Sequence, residues 1–169
     1  MLFRCAAGAF AGALLLLVVV ACNRSPPEPY VRLSSPAPKI EAPPSSRAVL
    51  LTFWATWCNF CREEADELHG LARDPPPGLS IVVFSEDKEL ADVERFFGGS
   101  IPKELNLRLD SEWRVAHSLV VHQLPAAVLV VDGKAIARFD GARRWSGSSA
   151  RSTLSRLIKS AEHSSSGGP

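Results

Sequence analysis

The chain has 169 residues and a formal net charge of +1, with 19 Lys and Arg against 18 Asp and Glu. Its basic residues are dispersed, so neither a nucleic-acid surface nor an electrostatic membrane patch is expected. The length suits one folded domain with flanking segments.

The amino terminus carries Arg4, then an apolar run that includes Leu14 to Val20, and ends on Ala21 before Cys22. This pattern resembles a bacterial lipoprotein signal, residues 1–21. The resemblance implies cleavage before Cys22, lipid attachment to the Cys22 thiol and loss of Cys5 with the signal. An uncleaved anchor is the alternative, but the apolar run is short for a span of about 20 residues. Either reading puts the folded part outside the cytoplasm, on the periplasmic side of a bacterial membrane. Residues 22–47 are rich in Pro and Ser, without a sustained hydrophobic period, and read as a flexible, partly extended tether. Residues 48–163 have the composition of a compact domain, and 164–169 read as a disordered tail.

Within that domain Ala48 to Trp54 is a short apolar stretch suited to a buried strand, and the segment from Cys61 onward shifts to helical spacing. Ala55, Thr56, Trp57, Cys58, Asn59 and Phe60 lead from one to the other, so two cysteines one helical turn apart fall at a strand-to-helix junction. This is the local plan of a dithiol/disulfide redox centre. Cys58 falls at the helix start, where unpaired N–H groups and the positive dipole end favour thiolate. Settings of this kind lower a cysteine pKa from about 8.5 to roughly 3.5–7.5. With Cys5 and Cys22 set aside, Cys58 and Cys61 are the remaining pair, and no separate structural disulfide can be built.

Three consecutive prolines, Pro75 to Pro77, stop the first helix, and Leu79 to Ser85 reads as a second buried strand. Strand, helix, strand implies a parallel pair with a right-handed crossover. A second helix is expected from Glu86 to Gly99, with Leu90, Val93, Phe96 and Phe97 on one face and Gly98 and Gly99 at its end. A third helical stretch is expected after Asp110, around Ser111 to Val121. Two strands then flank Asp132-Gly133, a dipeptide that favours a tight antiparallel turn. Leu154, Leu157 and Ile158 mark a terminal helix between Ser148 and Ser160. The expected fold class is α/β, a mixed central sheet with helices on both faces.

The motif from Phe53 to Glu64, together with the segment from Arg108 to Gly141, resembles the TlpA-like and ResA-like membrane-tethered thiol:disulfide oxidoreductases of the thioredoxin superfamily, from about Ala48 to Trp145. The resemblance implies a thioredoxin-like fold, Cys58 as attacking cysteine, Cys61 as resolving cysteine and Pro125 as a cis proline beside the disulfide. It implies no cofactor beyond the redox pair. Glu64, three residues after Cys61, matches the acidic position of ResA-like proteins, whereas Thr52 occupies the place of the buried acid of cytoplasmic thioredoxins. Phe60 stands where the family often has proline. Tyr30 to Arg47 is short and proline-rich, so the strand hairpin that usually precedes the first core strand is expected to be missing or degraded.

In the reducing direction a Cys58 thiolate attacks a substrate disulfide and Cys61 then displaces the reduced substrate. Trp57 and Leu124 are candidate substrate contacts beside Pro125, Leu124 through strand-like backbone pairing. Trp54 reads as core, His122 as a surface residue that could approach the dithiol, and His69 and His117 as ordinary helix residues. Glu64 reads equally as a proton-transfer group or as part of a solvated acidic face with Glu63, Asp66 and Glu67. The implied partners are protein thiols and disulfides, apocytochrome c among them, and a membrane-bound electron donor. Copper-binding thioredoxin-like lipoproteins and thiol peroxidases are the competing classes. A structural zinc site lacks its second ligand pair, and no metal is expected.

Overall fold

The computed structural model describes residues 29–41 and 46–165. The signal segment 1–21, Cys5 and Cys22 lie outside the described residues. Six strands form one sheet in the order β1-β6-β5-β2-β3-β4. They are β1 (Val31–Pro36), β2 (Ala48–Trp54), β3 (Leu79–Ser85), β4 (Arg108–Leu109), β5 (Ala126–Val131) and β6 (Lys134–Asp140). Four helices are described: α1 (Asn59–Arg73), α2 (Leu90–Phe96), α3 (Arg114–Ser118) and α4 (Ser148–Ser165). None is long and apolar enough to cross a membrane.

β2 is buried along its whole length and pairs parallel with β3 and antiparallel with β5. A strand covered on both faces needs a continuous apolar run rather than alternation, and Ala48 to Trp54 supplies it. The period of two divides that run between the two layers. Leu50 and Trp54 join Leu68 and Leu71 of α1 and Leu154, Leu157 and Ile158 of α4 on one face. Leu51 and Phe53 meet Ala116 of α3 and Leu119 and Val121 beyond it on the other. Helices therefore cover both faces, as the sequence pattern implies.

Three elements differ from the sequence expectations. Residues 31–36, placed in the flexible tether, form β1, which pairs antiparallel with β6 through Val31 opposite Arg138 and Pro36 opposite Lys134. Leu33, Ala37 and Ile40 pack against the face that carries Leu51. Proline content conceals this strand because Pro36, which cannot donate to a ladder, is tolerated at the end of an edge strand. Where a hairpin was expected to be missing or degraded, this one strand is described. The terminal helix runs on to Ser165, past the expected start of the tail. Leu90, expected on the packed face of α2, is exposed, while Val93 is fully buried.

The Asp132-Gly133 turn joins β5 to β6, with φ of 48° and 77° at the two residues. Positive φ at both central positions gives the turn whose twist matches a hairpin, and glycine takes the second without strain. Leu129 sits fully buried at the middle of β5. Leu129→Ala should lower the free energy of unfolding by about 2–5 kcal/mol in urea denaturation, since the packed sheet leaves a cavity. A loss below about 0.5 kcal/mol would show that the site collapses freely.

Candidate redox site

The site lies at the end of the sheet where β2 and β3 finish. Cys58 and Cys61 form a disulfide with Cα atoms 5.2 Å apart. Cys58 is the N-cap of α1, with extended backbone (φ −90°, ψ 114°), and its Sγ accepts the Cys61 N–H at 3.2 Å. An N-cap side chain satisfies one of the helix's first orphan donors, a task usually given to oxygen. When the disulfide opens, the same N–H and the dipole of a 15-residue helix favour negative charge on this sulfur. Cys61 is fully buried, whereas Cys58 is half-buried. Cys58 is the more accessible residue of the pair, and Cys61 is protected.

The loop before Cys58 is held from behind by β3. Glu86 donates its N–H to the Trp54 carbonyl at 2.9 Å. The Asp87 carboxylate accepts the Thr56 N–H at 3.0 Å and the Thr56 hydroxyl at 2.6 Å. Ser85 Oγ donates to the same carboxylate at 2.6 Å. This anchor was not anticipated from the sequence. Its available signal was Ser85-Glu86-Asp87, three polar residues closing an apolar strand, which reads as solvent-facing but is buried throughout.

Across the site the Leu124–Pro125 peptide bond is cis. Ala126 pairs with Phe53, so Pro125 lies at the sheet end from which the Cys58 loop departs. Leu124 is partly buried and packs against both core layers, including the layer that holds Cys58 and Cys61. Pro125 is buried, and its carbonyl accepts the Gly141 N–H at 2.9 Å. Trp57 and Phe60 are 60% and 63% exposed, so two aromatic side chains flank the half-buried sulfur in the open. Trp54 is core, packed against Phe96 and Phe97. His122 is exposed and its ring lies 5.6 Å from that of His117, which places it beside α3. His69 lies 3.9 Å from Glu104.

Glu64 is buried, which removes it from the solvated acidic face with Glu63, Asp66 and Glu67. Three residues past Cys61 on α1, it shares the inward side of the helix with that cysteine. Its Oε2 accepts the Arg143 N–H at 2.8 Å. Burial pushes its pKa up to about 7, against the opposing pull of the Arg143 backbone N–H, the Trp145 indole and the Arg143 charge. The Trp145 Nε1 makes no hydrogen bond of full geometry, so its pull is that of a nearby dipole. A carboxyl group of this kind exchanges a proton near neutral pH. Thr52, on the buried strand, has no hydrogen-bond partner for its hydroxyl. Among the described residues no group of three or more His, Cys, Asp and Glu side chains is arranged to hold a metal ion.

No family model matches this sequence, and no curated protein matches it. Solved structures do. A protein named as the thiol:disulfide interchange protein DsbE of Chlorobium tepidum is 22% identical with a TM-score of 0.59, over 76% of this chain and 96% of that one. The thioredoxin domain of a thiol-disulfide oxidoreductase from Bacteroides vulgatus is 21% identical with a TM-score of 0.51, over 68% and 81%. An exposed lipoprotein thioredoxin of Streptococcus pneumoniae is 16% identical with a TM-score of 0.51, over 69% and 86%. The fold is thioredoxin-like.

The raised pKa of Glu64 sets a sign for stability. Folding favours its protonated form, so its contribution is present in acid and is lost as pH rises from the ordinary carboxylate range to about 7. Glu64→Gln should flatten the fall in thermal midpoint over that interval, measured by circular dichroism on the oxidised protein. Parallel curves for parent and variant would show that the carboxyl group does not titrate there.

Proposed function

We propose that the protein is an extracytoplasmic thiol:disulfide oxidoreductase, tethered to a bacterial membrane by lipid on Cys22, that exchanges disulfides with protein substrates through Cys58 and Cys61. The observation that carries this reading is the asymmetry of the pair. The half-buried sulfur caps a long helix at the sheet end that also carries cis Pro125, and the fully buried sulfur sits one turn behind it.

The chemistry follows from that arrangement. A Cys58 thiolate attacks one sulfur of a substrate disulfide, forming a Cys58–substrate bond and releasing the other substrate sulfur as a thiolate that takes a proton from water. The Cys61 thiol gives its proton to Glu64, and the resulting thiolate attacks Cys58 Sγ. The second substrate thiolate leaves, and the centre ends as a disulfide with two electrons transferred. Buried Cys61 is reached by no outside thiol, which confines the second step to the intramolecular path. Trp57 and Leu124 contact the substrate, and an extended peptide pairs with the Leu124 backbone in strand fashion. The reductive direction, with apocytochrome c as substrate and a membrane-bound donor restoring the dithiol, rests on the likeness of the motif to ResA-like proteins. The likeness to an exposed lipoprotein thioredoxin supports the tether.

Cys58→Ser should slow reduction of a protein disulfide by at least about a hundred-fold, and Cys61→Ser should stall a mixed disulfide on Cys58 that mass spectrometry identifies. Full activity in Cys58→Ser sinks the reading, and cytochrome precursors in the trapped complex identify the substrate. Leu124→Thr should change the ranking of peptide disulfides that differ in the residues flanking cysteine. Equal rates for parent and variant across such a set would remove Leu124 from substrate selection.

A further inference from the structure

Where β3 ends, three carboxyl side chains leave solvent together. Glu86 is 3% exposed, Asp87 2% and Asp110 7%. Two of them are satisfied. Asp87 takes the donors of Thr56 and Ser85 described above, and Asp110 Oδ2 accepts the N–H groups of Val115 at 2.9 Å and Ala116 at 3.0 Å. Glu86 is not: both its Oε1 and its Oε2 are buried without a hydrogen-bond donor. Asp110, itself a carboxyl group, acts on Glu86 both through its charge and through hydrogen bonding. Two carboxylates offer acceptors only, so the contact is satisfied when one of them carries a proton.

The backbone joins this pair to the cysteines. Asp110 donates its N–H to the Ser85 carbonyl at 2.8 Å, Glu86 donates its own to Trp54, and Asp87 grips Thr56, two residues before Cys58. We propose that Glu86 keeps a proton and hydrogen-bonds through it to the Asp110 carboxylate, and that this proton-sharing link holds the 85–87 segment where it fixes the Trp54–Thr56 turn, making Glu86 a positioning residue for Cys58. The kinetic half of this inference rests on the reading of Cys58 and Cys61 as an exchange centre. The structural half does not.

Burial first, then the charges of Asp110 and Asp87, push Glu86 up to about 8. Folding favours its protonated form, so stability from this group declines as pH rises from the ordinary carboxylate range through about 8. Ionisation then places another negative charge beside Asp87 and Asp110 in a site closed to water. Few neighbouring groups relieve it. On its own segment Lys88 and Glu89 are exposed. Past β4, Arg114 is paired with Glu112 and also feels Asp110. On α2, Asp92 is paired with Arg95. The turn from Trp54 to Trp57 brings no titratable side chain. His117 on α3 and His122 beside it are exposed. Repulsion is then relieved by movement of residues 86 and 87, and Thr56 moves with them.

Two readouts test this, the amide resonance of Thr56 and the rate of exchange with a small-molecule disulfide, each followed from about pH 6 to about pH 9.5. In the parent the Thr56 amide should titrate with a midpoint near 8 and exchange its hydrogen faster above it. Glu86→Gln keeps a donor for Asp110 but cannot ionise, so that titration should vanish. The parent rate should fall at least about three-fold below its plateau on the alkaline side while Glu86→Gln holds its own plateau, since small displacements of a reacting group cost rate. Asp110→Asn supplies the donor from the other side and should move the Thr56 midpoint downward. A Thr56 resonance unmoved by pH in the parent, or identical profiles for parent and Glu86→Gln in both readouts, overturns the proposal. A parent that performs no exchange at any pH while Thr56 titrates as expected sinks the redox reading and sustains the positioning of the turn.

Discussion

The grip of the Asp87 carboxylate on the Thr56 backbone and hydroxyl is the contact on which the site depends. Between β2 and α1 the chain must leave a buried strand, turn, and begin a helix within four residues, with Cys58 delivered to the cap position. Such a turn has few backbone partners of its own. The Ala55 carbonyl accepts the Cys58 N–H at 3.2 Å, and the remaining hold comes from the neighbouring strand. Hydrogen bonds to an ionised acceptor are stronger than neutral ones, and burial spares this one from competition with water. The disulfide therefore sits on a platform built by β3 as much as by its own segment.

The division of labour between the two sulfurs follows from helix geometry. A residue at the cap is half outside the helix, while one three positions later lies on the side that faces the sheet. Spacing the cysteines by two residues thus gives one open and one closed sulfur without any special device. Glu64, one turn further along the same inward side, meets the low-dielectric layer below Cys61, and that burial tunes its proton affinity. Exposure of Phe60 beside them follows from the same turn, since the second residue between the cysteines points outward at the helix start.

Much of this was legible in the chain. The largely apolar runs of β2, β3 and β5 announced buried strands, Asp132-Gly133 announced a hairpin, and the cysteine spacing at a strand-to-helix boundary located the site. Pattern reading failed where local composition and tertiary role diverge. Proline in 31–36 suggested an unpaired tether, although an edge strand accepts proline at its end. Arg108 and Leu109 are too few for any periodicity, and their strand exists because β3 offers an open edge. Glu86 and Asp87 read as the start of the second helix, since Thr56, the group that Asp87 holds, lies 31 residues away in the chain. Glu64 stood between two readings until its depth was known.

The strand β1 also bears on how far the domain can stray. Were Cys22 the point of lipid attachment, eight residues would separate it from Val31, where the chain is already stitched to β6. A fully extended chain gains about 3.3–3.6 Å per residue, so that leash reaches roughly 30 Å at most. Partner proteins would have to present their sulfurs close to the lipid headgroups, and large periplasmic proteins that cannot approach the bilayer would go untouched.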